Sequence, residues 1–185
     1  MRKVKKKKKL AFRVNLFFSI TQNMAKEKFS VTPAVRMLRA EKVVFTSHRY
    51  DYKKHGGTAA SARALGVDEH AVVKTLVMED DRKKPLIVLM HGDLQVSVKQ
   101  LARIIGVKHV MPCSPETAFK HTGYLVGGTS PFGIRTVMPI YMEETIVNLP
   151  RIYINGGTRG YLVGIDPNDA LRVLKPALVK VGIEK

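Results

Sequence analysis

Residues 71–92 read AVVKTLVMEDDRKKPLIVLMHG: two runs rich in β-branched and apolar residues with a charged turn, DDRKK, between them. Each run has the length and composition of a strand, and the short polar break predicts an antiparallel hairpin with a loop slightly longer than the tightest type. In an extended chain side chains alternate, so Val72, Leu76 and Met78 share one face of the first strand with Lys74. Val73, Thr75 and Val77 take the other. Both faces are mostly apolar, and the lysine interrupts one of them. The acidic pair Asp80–Asp81 falls in the turn.

Working outward, Thr32 followed by Pro33 opens a helix over AVRMLRAEK, with threonine as cap and proline at the first position. Val43 to Tyr50 has strand composition. Gly56–Gly57 breaks the chain before a short helix, TAASARALG, closed by Gly66. Ser97 caps an amphipathic helix ending at Gly106, VKHVM returns as a strand, and Ser114–Pro115 opens another helix. TVMPIYM, PRIYING and GYLVGI read as strands, and a helix runs from about Asp166 through DPNDALRVLKPALVKV, interrupted near Pro176. Short helices among many strands predict a mixed α+β domain on one curved sheet.

Composition limits the function. The chain has 185 residues, 45% hydrophobic and 25% charged, with a formal net charge of +17. Residues 1–23 hold eight of the positive charges and no acidic residue, which leaves +9 for residues 24–185. Such an excess favours a polyanionic partner, with nucleic acid first. The single cysteine, Cys113, excludes an internal disulfide and fits a reducing, cytoplasmic compartment. No apolar run approaches the roughly 18–20 residues of a membrane span. The basic start followed by LAFRVNLFFSI imitates a signal peptide, but Arg13 and Asn15 interrupt it and no small-x-small site follows. An over-long start with Met24 as initiator is the first reading of residues 1–23; a disordered basic arm and an export signal are the others. Residues 24–185 read as one domain.

Three features can carry chemistry. Lys74 is either an edge lysine reaching for water or a cation at a pocket rim. The stretch GYLVGGTSPFG, residues 123–133, crowds four glycines and a proline into eleven positions. Around Gly127–Gly128 its amides are unobstructed, so it is either an ordinary turn or a cradle for an anion or a polarised carbonyl. It has no Walker pattern. NGGTRG, residues 155–160, sets Arg159 in a second glycine turn, as a surface coat or a phosphate ligand. The six histidines form no closely spaced ligand pair, a structural zinc site is not expected, and nothing in sequence activates Cys113.

Four segments in this order, TPAVRMLRAEKV, VVKTLVM, TGYLVGGTSPFG and INGGTRGYLVGI, resemble the YbaK/EbsC family of free-standing aminoacyl-tRNA deacylases, relatives of the editing domain of bacterial prolyl-tRNA synthetases. The resemblance covers residues 30–184 and is strongest to Cys-tRNA(Pro) deacylases. It implies a mixed α+β fold around a curved, partly barrel-like sheet, and hydrolysis of the ester joining a wrong amino acid to the 3′ adenosine of tRNA. It implies that Lys74 is the functional lysine, followed by Thr75, and that Gly127 to Pro131, with Gly128, Thr129 and Ser130 between them, is the GxxxP substrate loop. Tyr50 stands near the pocket and Arg159 at the substrate.

The resemblance implies no cofactor and no metal. The amides of Gly127 and Gly128 would hold the oxyanion, Lys74 would act through its charge, and the substrate's own thiol would assist in a lyase-like route. Aminoacyl-tRNA is the partner, by its tRNA(Pro) acceptor end, with prolyl-tRNA synthetase beside it and no membrane. One departure concerns the amino acid: Leu162 stands where cysteine-editing relatives have an acidic residue. Deacylation of alanyl or another small aminoacyl-tRNA, and a non-catalytic tRNA- or synthetase-binding module, are the alternatives.

Overall fold

The hairpin forms where the sequence places it. In a computed structural model that describes residues 31–184, strand β2 (Val72–Asp80) pairs antiparallel with β3 (Pro85–His91), from Val73 opposite His91 to Glu79 opposite Pro85. Asp80 builds the turn: its Oδ1 accepts from the amides of Arg82 and Lys84, both at 2.8 Å. These amides hold the Asp80 carboxyl below its usual range. Asp81, at the tip, accepts instead from the amide of Lys108 at 3.1 Å. The expectations for residues 1–23 lie outside the described residues.

Around the hairpin the order is α1 (Pro33–Ala40), β1 (Thr46–Arg49), α2 (Gly57–Leu65), β2, β3, β4 (Gln95–Val96), α3 (Val98–Ile105), β5 (Val110–Pro112) and α4 (Pro115–Thr122). Then follow β6 (Ile140–Glu143), β7 (Ile152–Asn155), β8 (Tyr161–Ile165), α5 (Pro167–Leu174), β9 (Ala177–Val179) and β10 (Gly182–Ile183). The large sheet runs β1-β8-β7-β2-β3-β6-β9, with β5 attached to β2, and β4 and β10 pair separately. It is mixed: β7 on β2, β6 on β3 and β9 on β6 are parallel, and the other pairs of the large sheet are antiparallel. The path is open. Among the described residues no ladder joins β1 to β9, so the partly barrel-like closure implied by the resemblance is not made by hydrogen bonds. No helix among the described residues is long and apolar enough to cross a membrane.

Directly opposed residues of a ladder share a face. Met78, Leu86, Val88 and Met90 therefore lie together, and Leu101 and Ala102 of α3 cover them with Val110, Val179 and Val181. On the reverse face Ile87 and Leu89 are fully buried. Each large side chain so removed from water contributes about 1.5–3 kcal/mol before ordering costs.

The helix boundaries follow from their caps. Thr32, Ser97, Ser114 and Asp166 each accept a backbone amide of the first turn, and Gly66, Gly106 and Gly123 close helices in the left-handed conformation. Three segments differ from the sequence reading. Thr136 to Pro139, read as the start of a strand, is irregular, and β6 begins only at Ile140. Val43 to Phe45 is not strand: Lys42 turns left-handed at φ 55 and the Val43 amide bonds back to Leu38, so these residues serve the exit of α1. After Pro176 there is no helix. Lys175 takes φ 47, ends α5, and sends Ala177–Val179 into the sheet beside β6.

Candidate active site

The sheet forks at β2. One edge of β2 is paired with β3 along its length. On the other edge β7 pairs only with Val72 and Val73, and β5 only with Met78 to Asp80. Two bonds fix which groups face the fork: the Asp80 amide donates to Lys84 on the β3 side, and the Val77 carbonyl accepts from Cys113 on the other, each at 3.0 Å. By alternation the amide and carbonyl of Thr75 share the edge of Val77. They fall between the end of the β7 ladder and the beginning of the β5 contact, with no strand partner there.

Over the fork opens a cavity of about 720 Å³, within the roughly 300–1,000 Å³ of small-molecule sites. Lys74 and Thr75 of β2, Tyr50 after β1, Gly127 and Thr129 of the glycine loop, and Arg159 of the second glycine turn all line it. Lys74 presents its Nζ to the carbonyl of Leu94, in the loop after β3. Tyr50 is tied to the second glycine turn by its amide, which donates to Gly160 at 3.0 Å. Its hydroxyl meets Ser61 of α2, and burial raises its pKa. Leu162 lies in the wall, 4% exposed.

The glycine loop starts where Gly123, at φ 78, ends α4. Tyr124 turns inward and donates its hydroxyl to the Phe132 carbonyl at 2.7 Å, tying the two ends of the loop together. Burial pushes that phenol up to about 12. Leu125 and Val126 face outward, 59% and 50% exposed. The Gly128 amide donates to the Leu125 carbonyl at 2.8 Å, so it is committed to the turn and not offered to an oxyanion, contrary to the sequence reading. Its glycine is required for another reason: a Cβ there would lie 2.9 Å from the Arg159 amide nitrogen and the Thr158 carbonyl carbon. Gly127, at φ 86, packs against the Tyr52 ring.

Not every residue expected at the substrate reaches the cavity. Ser130 is fully buried and its hydroxyl accepts from the Phe132 amide at 3.3 Å; with Pro131, also buried, it shapes the loop from within. Arg159 acts partly as a clasp, donating Nε to the Val126 carbonyl at 2.9 Å, with its guanidinium 5.3 Å from the Tyr52 ring centre. Asn155, which the sequence reading passed over, joins the two glycine turns: Nδ2 donates to Gly127 at 3.1 Å and Oδ1 accepts from the Gly157 amide at 2.8 Å. Its signal was the Asn-Gly-Gly order, an asparagine poised to bond its own turn. Leu94 and Tyr52 had no comparable signal.

Chemically, the site offers a cation, exposed backbone and an apolar wall. The one thiol there, Cys113, is pushed up to about 11 by burial first and by Glu79, so it stays protonated and inert at neutral pH.

Comparisons with known proteins identify the family. Residues 55–173 match the family of aminoacyl-tRNA editing domains. A relative from Enterococcus faecalis named "Putative Cys-tRNA(Pro)/Cys-tRNA(Cys) deacylase EbsC" is 29% identical over 150 residues, 80% of this chain and 92% of its own. A proline–tRNA ligase of Thermodesulfovibrio yellowstonii is 30% identical over 107 residues, 56% of this chain and 18% of the ligase. Among solved structures, one titled "Crystal structure of a putative trans-editing enzyme for prolyl tRNA synthetase" superposes with a TM-score of 0.72 at 21% identity, over 83% of this chain and 99% of that one. Another, of the hypothetical protein APE2540, has a TM-score of 0.75 at 20% identity, over 82% and 99%. With its fold, its motifs and this match over most of its described length, the chain belongs to the family of aminoacyl-tRNA editing domains.

Proposed function

We propose that this protein is a trans-editing deacylase that hydrolyses the ester between a wrong amino acid and the 3′ adenosine of tRNA(Pro), with cysteinyl-tRNA(Pro) as first substrate. The observation that carries the reading is the convergence of Lys74, Tyr50, Gly127 and Arg159 on one cavity over the forked edge of β2. The cavity's volume suits an aminoacyl adenosine rather than an amino acid alone. The name of the Enterococcus relative points to the same ester.

In this mechanism Lys74, steadied by Leu94, binds the phosphate of the terminal nucleotide or polarises the ester. The Gly127 amide takes the developing oxyanion, in place of the pair of amides expected from sequence. Arg159 and Asn155 hold that amide in position through the Val126 and Gly127 carbonyls. No side chain of the cavity is cast as nucleophile. Water attacks the carbonyl, or, with a cysteinyl substrate, its own sulfur does: the C–S bond forms as the ester C–O bond breaks, the 3′ oxygen takes the thiol proton, and the thiolactone is then hydrolysed. Prolyl-tRNA synthetase is the proposed partner, in the cytoplasm where tRNA is charged.

A second reading keeps the reaction and changes the amino acid. Leu162 gives the wall an apolar side chain, which favours alanine or another small uncharged group.

The test is one preparation assayed on Cys-, Ala- and Pro-tRNA(Pro), with Lys74→Ala beside it. Wild type should release cysteine or alanine and spare proline, and Lys74→Ala should lose about a hundredfold in kcat/KM, about 2.7 kcal/mol. An unchanged rate in Lys74→Ala refutes the site. A non-thiol ester cleaved as fast as the cysteinyl one refutes the thiol route.

A further inference from the structure

The substrate of such a deacylase carries an ammonium beside the scissile carbonyl, yet no aspartate or glutamate lines the cavity. A buried ammonium needs oxygen acceptors in place of water. Several oxygens of the cavity wall are already engaged. The Gly127 carbonyl accepts from Asn155, the Val126 carbonyl from Arg159, and Asn155 Oδ1 from Gly157. The Thr58 carbonyl accepts from Ser61, and the Thr58 hydroxyl is turned away as a donor to Glu69 and Gly92.

Thr75 stands apart. Its hydroxyl is a buried side-chain oxygen with no hydrogen-bond partner, and its carbonyl lies on the stretch of β2 edge that neither β7 nor β5 pairs. The carbonyl edge faces a cavity without a carboxylate, and the hydroxyl lies sealed from solvent beside it, a cost that a donor arriving with the substrate would relieve.

We propose that Thr75 recognises the α-ammonium of the aminoacyl group, receiving it at the open carbonyl of β2 and at the side-chain hydroxyl. This rests on the deacylase reading and adds what that reading lacks, a charge-selective contact at the amino acid itself. Adjacent strand residues point to opposite faces, and the Lys74 ammonium is drawn off to Leu94. The protein's cation and the substrate's cation are thus kept apart, one serving phosphate and the other ester. Esters without a free amine, such as peptidyl-tRNA and other N-blocked forms, lack the positive charge and are spared.

The test uses the full chain and the amino acid that proves best in the panel above. Its tRNA ester is compared with the ester of the α-hydroxy acid bearing the same side chain, which matches it in size but lacks the charge. Each kcat/KM is divided by that ester's uncatalysed hydrolysis rate. Wild type should prefer the ammonium ester by about tenfold or more. Thr75→Val should lose most of that preference, slowing the ammonium ester about tenfold while the hydroxy ester stays within about twofold, and Thr75→Ser should retain it. Equal normalised rates for the two esters with wild type, or equal losses on both in Thr75→Val, overturn the assignment. Should Thr75→Val fail to fold, Thr75→Ala takes its place with the same expected and overturning results. If wild type cleaves neither ester, the deacylase reading itself falls.

Discussion

At its Asp80 end β2 is paired on both edges, with Leu86 across one ladder and Pro112 across the other. Past the Val73 pair with β7, around Lys74 and Thr75, it is paired on one edge only, and the bare edge lines a cavity. What differs is the second edge: β5 closes it beside Met78 to Asp80, whereas two glycine turns arch over the open stretch. A strand left half-paired is usually a liability. Here it is a recess, because Gly127, Gly128 and the 155–160 turn close over it without side chains to fill it. With the site proposed above, stability and function are divided along a single strand.

The largest effect should come from the paired end. Leu86 is 4% exposed, opposite Met78 and outside the cavity. Leu86→Ala should cost about 2–5 kcal/mol of stability through lost burial and the void left behind, read from the urea midpoint. The rate per folded molecule should stay at the wild-type value. A fall in that rate at constant folded fraction would show that the two ends are coupled.

Gly128→Ala tests the division from the other side and should be milder for stability. A methyl group there would press on Thr158 and Arg159 backbone atoms at about 2.9 Å, and neither can yield as a flexible side chain would. The two glycine turns must separate, at about 1–3 kcal/mol. The Gly127 amide moves with its loop, so deacylation should fall at least about tenfold, more than the stability loss accounts for at working temperature. A variant that keeps its rate would mean the loop does not position the oxyanion.

The parts of this division legible in sequence were the local ones. Caps such as Thr32–Pro33 and Ser114–Pro115, and stops such as Gly66 and Gly106, are decided within a few residues, and each stands where it was read. The hairpin was equally plain, since Asp80 organises its turn from its own neighbours. The fork was not legible. It depends on where β7 stops and β5 starts along β2, a long-range register that alternation in β2 itself does not encode. For the same reason the strand after Pro176 was mistaken for helix: its periodicity suited both, and the partner that decided it, β6, is remote in sequence. In the site, the residue types of Lys74, Tyr50 and Gly127 were found through their motifs. The inward turn of Ser130 and the engagement of the Gly128 amide follow from bonds within the folded loop, which composition does not reveal.

The smallest effect should be a pH step from the seam where β2 begins and β3 ends. His91 is fully buried there, with Nδ1 on the His70 carbonyl at 2.7 Å, Nε2 on the Thr145 hydroxyl at 2.8 Å, and its ring stacked 3.6 Å from that of His70. Burial, and then the neighbouring His70, lower its pKa, against the opposing pull of the His70 carbonyl, Asp93 and Glu143. The neutral ring is therefore the folded form. A histidine whose pKa is depressed on folding gives stability that is fully present above its unfolded value near 6.5. That stability is lost as pH falls from there through the lowered folded value, because only the unfolded chain takes up the proton. Urea midpoints measured from pH 8 to pH 5 should decline over the lower half of that range, and His91→Gln, which keeps hydrogen-bonding capacity without titrating, should flatten the decline. Since His91 sits opposite Val73, where β7 lets go of β2, a matching fall in deacylation rate at constant folded fraction would extend the fork's influence from geometry to chemistry; a rate that ignores the step confines His91 to holding the strand.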